Sequence, residues 1–272
     1  MMTLWWAIIF GIVQGLTEFL PISSSGHLVV LHQLTGIQGA ADLSFDVALH
    51  FGTLLALLGF FWADIWRLLI EWGQSIWHRR WHHYSDDARL AWQLLLATGP
   101  VLIVGAIGGA ALEERFRSLP SVAVMLIVFG IFFFIFEATS RQRFKMTDLS
   151  WGSALKIGLA QVLALVPGVS RSGITIIAGL GEGLKRSEAA RFSFLLSIPA
   201  VAAAAIKQGI DLSQVGMPAG GWPTFMVGAG AAAIVGWLAI RYLLRFLEHH
   251  TLAGFGWYRI LLGLAVLLVW YF

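Results

Sequence analysis

Gln14, Glu18, Ser23, Ser24, Ser25 and His27 fall within one short stretch of an otherwise apolar chain, and Ser170, Arg171 and Ser172 fall within another. Gln14 and Glu18 are spaced i, i+4, so a helical segment puts both side chains on one face. Ser23-Ser24-Ser25-Gly26 offers hydroxyls and a nest of backbone N–H groups, a concavity that suits phosphate oxygens. Ser170-Arg171-Ser172-Gly173 adds a guanidinium, permanently charged and shaped for bidentate contact with an oxyanion. Helix N-termini expected just after Gly26 and Gly173 would turn two positive dipole ends toward the same anion. A carboxylate, a hydroxyl, a histidine and an arginine are the parts needed to hydrolyse a phosphoanhydride. In that reading Arg171 neutralises charge on the equatorial oxygens, Glu18 holds a divalent cation or acts as base, and His27 shuttles a proton. Ser24 is the candidate nucleophile. A metal-activated water is the alternative, and it would leave the serines as phosphate donors.

These residues have to be held by membrane-embedded helices. The chain is 58% hydrophobic and 12% charged, where a soluble domain has roughly 45–50% apolar and 25% charged residues. About six segments are long enough for a bilayer that needs ~20 apolar residues: Phe51–Ile70, Leu90–Ala111, Val122–Ala138, Phe192–Ile210, Trp222–Tyr242 and Phe255–Phe272. Four apolar segments are shorter, near Leu4–Leu20, Leu28–Leu34, Ala154–Val166 and Ile174–Leu180, and the first and third run into Pro, Ser and Gly. Irregular backbone at membrane depth is tolerated only where it is buried in protein or lines a watery cavity, so the short segments read as two re-entrant helical hairpins. An ionisable group at that depth costs roughly 2.5–3.5 kcal/mol on insertion scales, so Glu18 there reads as functional. The fold class expected is an all-α polytopic membrane protein forming one domain over residues 1–272.

The two motifs also read as a repeat. Gly11–Gly26 (GIVQGLTEFLPISSSG) lies over Gly158–Gly173 (GLAQVLALVPGVSRSG) without a gap at an offset of 147 residues, matching Gly11/Gly158, Gln14/Gln161, Leu16/Leu163, Ser23/Ser170, Ser25/Ser172 and Gly26/Gly173. Three full spans separate the copies, an odd number, so the second enters from the opposite face. An inverted-topology repeat follows, approximately 4–70 and 151–210 with further spans in 90–138 and 222–272, and the tips Ser23–His27 and Ser170–Gly173 meet near the midplane. Arg67, Arg79, Arg80 and Arg89, then Arg141, Arg143 and Lys145, then Lys185, Arg186 and Arg191, then Arg241 and Arg245 mark the cytoplasmic connections. Asp211–Gly221 and Glu113–Pro120 read as external, and the first hairpin dips in from outside.

Absence of Cys removes thiolate nucleophiles and Cys-ligated metals. The N-terminus MMTLWWAIIF lacks the features of a cleaved signal peptide. The net charge of +3 carries no weight, because basic cytoplasmic loops produce it in most membrane proteins.

QGLTEFLPISSSGH resembles the glutamate-rich signature of the undecaprenyl-diphosphate phosphatase family, and PGVSRSG resembles its second signature. The likeness covers nearly the whole chain in length, span pattern and motif order. It implies a multi-pass enzyme of the bacterial inner membrane that converts undecaprenyl diphosphate to undecaprenyl phosphate for peptidoglycan synthesis, with a link to bacitracin resistance. Its site would open to the periplasmic or external side. It also implies a divalent cation, Mg2+ or Ca2+. Carried across, the family's acidic or amide position falls on Gln14, its glutamate on Glu18, its serine on Ser24, its histidine on His27, and its arginine with flanking serines on Ser170, Arg171 and Ser172. Where the family often has Glu, Gln14 removes one negative ligand from a two-carboxylate metal site.

Blander readings stand beside these. Asp46 and His50 form an i, i+4 pair that either extends the site or pairs internally, and Glu182 reads as a loop residue. His78, His82, His83, His249 and His250 read as interfacial, and the 13 Trp as interfacial belts. Gly228, Gly230 and Gly236 suit close packing inside the monomer or a homodimer contact. The expected partners are a polyprenyl diphosphate and membrane lipids, without nucleic acid. A secondary transporter or flippase is the competing function, since inverted repeats with broken helices also form transporters.

Overall fold

The computed structural model describes residues 3–37, 40–77, 85–215 and 221–272. His78, Arg79, Arg80, His82 and His83 lie outside the described residues, as does part of the connection Asp211–Gly221. Eleven α-helices are described: α1 Leu4–Phe19, α2 Ser24–Thr35, α3 Ala40–Phe60, α4 Trp62–Trp77, α5 Asp86–Phe116, α6 Leu119–Thr139, α7 Trp151–Val162, α8 Arg171–Gly181, α9 Arg186–Val215, α10 Gly221–His249 and α11 Ala253–Tyr271. Short 3-10 turns add Met146–Asp148 and Leu163–Leu165. Five helices are long and apolar enough to cross a bilayer, namely those holding Asp86–Leu112, Leu119–Thr139, Arg186–Ile206, Gly221–His249 and Ala253–Tyr271. They contain five of the six spans expected from the sequence.

The sixth is corrected. Phe51–Ile70 is not one rod, because the chain bends by 74° between Phe45–Phe60 and Trp62–Trp77. Phe61 at the break is fully buried, and its ring lies 6.3 Å from that of Phe194. Beyond it, Asp64, Arg67 and Glu71 recur every three to four residues, a charged stripe that cannot sit in hydrocarbon. Asp64 instead pairs with Arg67 at 3.1 Å and with Arg191 of α9 at 2.6 Å, while Arg67 reaches Asp87 of α5 at 3.2 Å. Arg186 pairs with Glu137, which also accepts the Leu252 N–H at 3.1 Å.

Two interrupted hairpins, α1–α2 and α7–α8, hold the motifs. Each first arm stops where a proline follows, because the residue before proline is pushed out of the helical region. Leu20 before Pro21 is extended at ψ 138°, and Val166 before Pro167 at ψ 119°. The second arms begin earlier than the sequence suggested, at Ser24 and Arg171 rather than after Gly26 and Gly173. The cause is capping: the Ser23 hydroxyl accepts the Gly26 N–H at 3.3 Å and the Ser170 hydroxyl accepts the Gly173 N–H at 3.1 Å.

Small residues set how closely the arms pack. A Cβ at Gly11 would fall 2.6 Å from the Gly228 carbonyl oxygen, and one at Gly15 would fall 2.8 Å from that of Ala232, so α1 lies directly on α10. One at Gly158 would enter the backbone of Ala97, which puts α7 on α5 in the same manner. Helices α6 and α11 touch through Gly130 and Gly256, each of whose added Cβ would lie 3.0 Å from the other's carbonyl oxygen. Gly228 and Gly236 therefore serve packing within the chain, while nothing lies near Gly230.

Candidate active site

The arms bring the two loops together. Ser23 and Ser170, the N-cap residues, share a positive-φ backbone, φ 75° ψ 95° and φ 74° ψ 115°. The hydroxyls of Ser23 and Ser25 lie 3.3 Å apart, and those of Ser170 and Ser172 lie 3.2 Å apart. Each loop then bonds to the other. The Gly168 N–H donates to the Ser25 hydroxyl at 3.4 Å, and the Ser172 hydroxyl donates to the Leu20 carbonyl at 3.3 Å. At the first turns of α2 and α8, leading backbone amides have no intrahelical acceptor, which makes each turn an anion-facing surface.

Glu18 is the hub. Its Oε2 accepts the Ser24 hydroxyl at 2.6 Å and the Gln14 amide at 3.1 Å, and its Oε1 accepts the Arg171 guanidinium at 3.0 Å. The carboxylate and guanidinium side chains are 9% and 15% exposed, so this pair is largely withdrawn from water. Two polar atoms of the cluster lack a protein partner: Arg171 Nη1 and Gln14 Oε1, both buried. The guanidinium thus spends one arm on Glu18 and holds another unspent, the arrangement expected of a group that awaits an oxyanion. His50 lies within electrostatic range of Glu18.

His27 is hydrogen-bonded to other groups than Glu18, Ser24 and Arg171. Its Nδ1 donates to the Ser23 carbonyl at 2.7 Å, which leaves Nε2 to accept the Tyr258 hydroxyl at 2.7 Å. The two rings are parallel with centroids 5.7 Å apart. Tyr258, which the sequence alone does not single out, comes from α11 and is followed by the fully buried Arg259. A charged side chain inside the Phe255–Phe272 span was the available signal. Asp46 does not pair side chain to side chain with His50. Its carboxylate takes the buried His32 at 3.1 Å, and His50 bonds the Asp46 carbonyl at 2.8 Å. Glu182, the C-cap residue of α8, pairs with Lys156 of α7 at 3.0 Å and so ties the two arms of the second hairpin together. His250 stacks on Phe246 at 4.4 Å.

Among the described residues no group of three His, Cys, Asp or Glu converges to cage a metal. The donors present are oxygens: the Glu18 carboxylate, the orphaned Gln14 Oε1 and the Ser24 hydroxyl. That set fits a hard cation of the kind that takes one or two carboxylates and fills its remaining positions with substrate phosphate and water.

Fold and site together define a polytopic helical membrane protein with a charged centre built where two interrupted hairpins meet. The chain belongs to the family described as bacitracin resistance protein BacA, whose model matches residues 7–265. It is similar over 98% of its length to the undecaprenyl-diphosphatase of Pelotomaculum thermopropionicum, at 43% identity and covering 97% of that protein. It is 44% identical to the undecaprenyl-diphosphatase of Geobacter sulfurreducens over 96% of each chain. To that of Trichlorobacter lovleyi it is 42% identical over 96% of this chain and 95% of the relative.

Proposed function

We propose that this protein is a phosphoanhydride hydrolase that converts undecaprenyl diphosphate to undecaprenyl phosphate and inorganic phosphate, returning the lipid carrier to peptidoglycan synthesis. The observation that carries the site assignment is the chain Ser24 hydroxyl–Glu18 carboxylate–Arg171 guanidinium, with Arg171 Nη1 left without a partner. A hydroxyl 2.6 Å from a carboxylate is a nucleophile already paired with its base. Arg171 and the loop hydroxyls and amides receive the diphosphate. The Ser24 oxygen attacks the terminal phosphorus as its proton passes to Glu18, and undecaprenyl phosphate leaves as an anion that needs no proton. Water then attacks the phosphoserine phosphorus, Glu18 returns its proton to the departing Ser24 oxygen, and the water's oxygen and both of its protons leave in inorganic phosphate, which restores the Ser24 hydroxyl and the Glu18 carboxylate. Glu18 and Gln14 Oε1 would hold a divalent cation, Mg2+ or Ca2+, which supplies charge neutralisation on the phosphate oxygens. His27, tied to the Ser23 carbonyl and to the Tyr258 hydroxyl, supports the first loop.

Several observations support an inverted repeat. The caps Ser23 and Ser170 match in backbone and bonding, α1 lies on α10 as α7 lies on α5, and the loops exchange hydrogen bonds reciprocally. The pairing of α4 with α5 and α9 through Asp64, Arg67, Asp87 and Arg191 supports one common face for those basic groups, which we assign to the cytoplasm of a bacterial inner membrane. The site then opens outward. A transporter or flippase is not favoured, since the relatives are named as diphosphatases and the hub contains a paired nucleophile and base.

The test is phosphate release from undecaprenyl diphosphate by the purified protein in detergent, with and without divalent cation, comparing wild type with Ser24→Ala and Arg171→Ala. Cation-dependent release that disappears in both variants is the expected result. A well-folded wild type that releases no phosphate would overturn the assignment.

A further inference from the structure

Arg259 heads the large side chains with no exposed surface. From α11 its Nη1 donates to the Pro21 carbonyl at 3.2 Å, and its Nη2 donates to the carbonyls of Gly168 at 2.8 Å and Val169 at 3.0 Å. Phe133 of α6 supports the guanidinium, with its ring centroid 5.4 Å from the guanidinium carbon. Pro21 and Gly168 are separated by the same 147 residues that relate the two motifs. One side chain therefore grips corresponding backbone points in both loops. All its bonded acceptors are main-chain dipoles, so it brings a whole positive charge to the loop junction with no carboxylate paired to it among the described residues.

Carbonyls are the wrong sign for a phosphate site. The peptide bonds of the described residues are all trans, and in a trans peptide the C=O and the following N–H point in opposite directions. Holding the Val169 carbonyl toward Arg259 thus turns the Ser170 N–H to the opposite side of the loop. A forked cation suits this role, because its fixed geometry reaches three acceptors in two loops at once, which a lysine ammonium on a flexible stem does not reproduce.

We propose that Arg259 is a positioning residue for the phosphate site. It draws the carbonyls of Pro21, Gly168 and Val169 away from the bound diphosphate and turns the Ser170 N–H toward it, the Ile22 and Val169 N–H groups being taken by the Leu20 and Val166 carbonyls. Its unmatched charge finds a counter-ion in the diphosphate itself, across the loops and without contact. The inference rests on the phosphatase reading above.

The experiment compares wild type with Arg259→Lys, both as purified full chains in detergent. Melting temperature, KM and kcat for undecaprenyl diphosphate, and the binding of inorganic pyrophosphate by calorimetry are measured for each. The Lys variant should stay folded, with KM and the pyrophosphate dissociation constant each raised about tenfold or more, in line with the loss of charge-assisted hydrogen bonds. A purely structural role would instead lower the fraction of folded molecules, each with wild-type KM and pyrophosphate affinity, and that outcome overturns the proposal. If the Lys variant does not fold, Phe133→Leu replaces it, because it loosens the platform beneath the guanidinium and leaves the charge. Unchanged pyrophosphate affinity there also overturns the proposal. Failure of wild type to release phosphate would sink the phosphatase reading alone, and the pyrophosphate affinities would still decide the role of Arg259.

Discussion

The loops Ser23–Gly26 and Ser170–Gly173 share a backbone and differ in one side chain that matters. Both have a positive-φ serine cap, a serine pair about one hydrogen bond apart and a bond to the opposite loop. The first helical residue is Ser24 in one and Arg171 in the other. The helices that feed them differ too. Gln14 in α1 bonds to Glu18, while Gln161, its counterpart in α7, is fully buried with neither amide atom bonded, and Leu165 stands where Glu18 does. Two like loop backbones thus differ by a few side chains: in the proposed mechanism the first carries the nucleophile and its base, and the second the charge. Symmetric backbone supplies the cradle, and asymmetric side chains supply direction.

The comparison breaks most severely at Arg171. Arg171→Ala should lower kcat by roughly 10³-fold or more, the range of a transition-state arginine, with little change in melting temperature; phosphate release checks the first and a thermal scan the second. Wild-type turnover in that variant would end the assignment. Glu18→Gln removes the base and the anchor of Arg171, and should cost roughly 10²–10⁴-fold in the same assay. Gln14→Glu should keep activity, because it restores the acid often found there in the family; a dead enzyme would contradict the reading of that position. The caps test equivalence. Ser23→Ala and Ser170→Ala each lose an N-cap bond worth about 0.5–2 kcal/mol, so chemical denaturation should show similar losses, and a large difference would separate the loops structurally. The smallest effect belongs to Gln161. Gln161→Leu removes a buried unpaired amide, an exchange that is nearly neutral or stabilising, so the melting point should hold or rise with kcat unchanged, whereas Gln14→Leu should lower activity.

Much of this was legible in the chain because membrane insertion writes strong patterns. Five apolar spans, two hairpins interrupted at Pro21 and Pro167, and the convergence of Glu18, Ser24 and Arg171 all follow from runs of apolar residues and a repeat offset. The break at Phe61 was not legible, since hydropathy averages over Phe51–Ile70 and hides the charged stripe that begins at Asp64. The starts of α2 and α8 were misplaced by the glycines, although the serine caps that decide them were in view. His32–Asp46 joins residues fourteen apart across a turn, and Tyr258 and Arg259 meet the motifs from more than ninety residues or more than two hundred away. Such contacts depend on which helices become neighbours. Hydropathy does not encode that, although a lone arginine in an apolar span was a signal worth following.

Arg259 has a further consequence for how the protein is made. A ribosome delivers α1 and α2 first, α7 and α8 well over a hundred residues later, and α11 after all the other described helices. A nascent chain inserted as far as α10 owns both loops, their serines, Glu18 and Arg171, but lacks the side chain that joins Pro21 to Gly168. On the positioning role proposed for Arg259, the two loops are therefore aligned for phosphate only once the last described helix is in place.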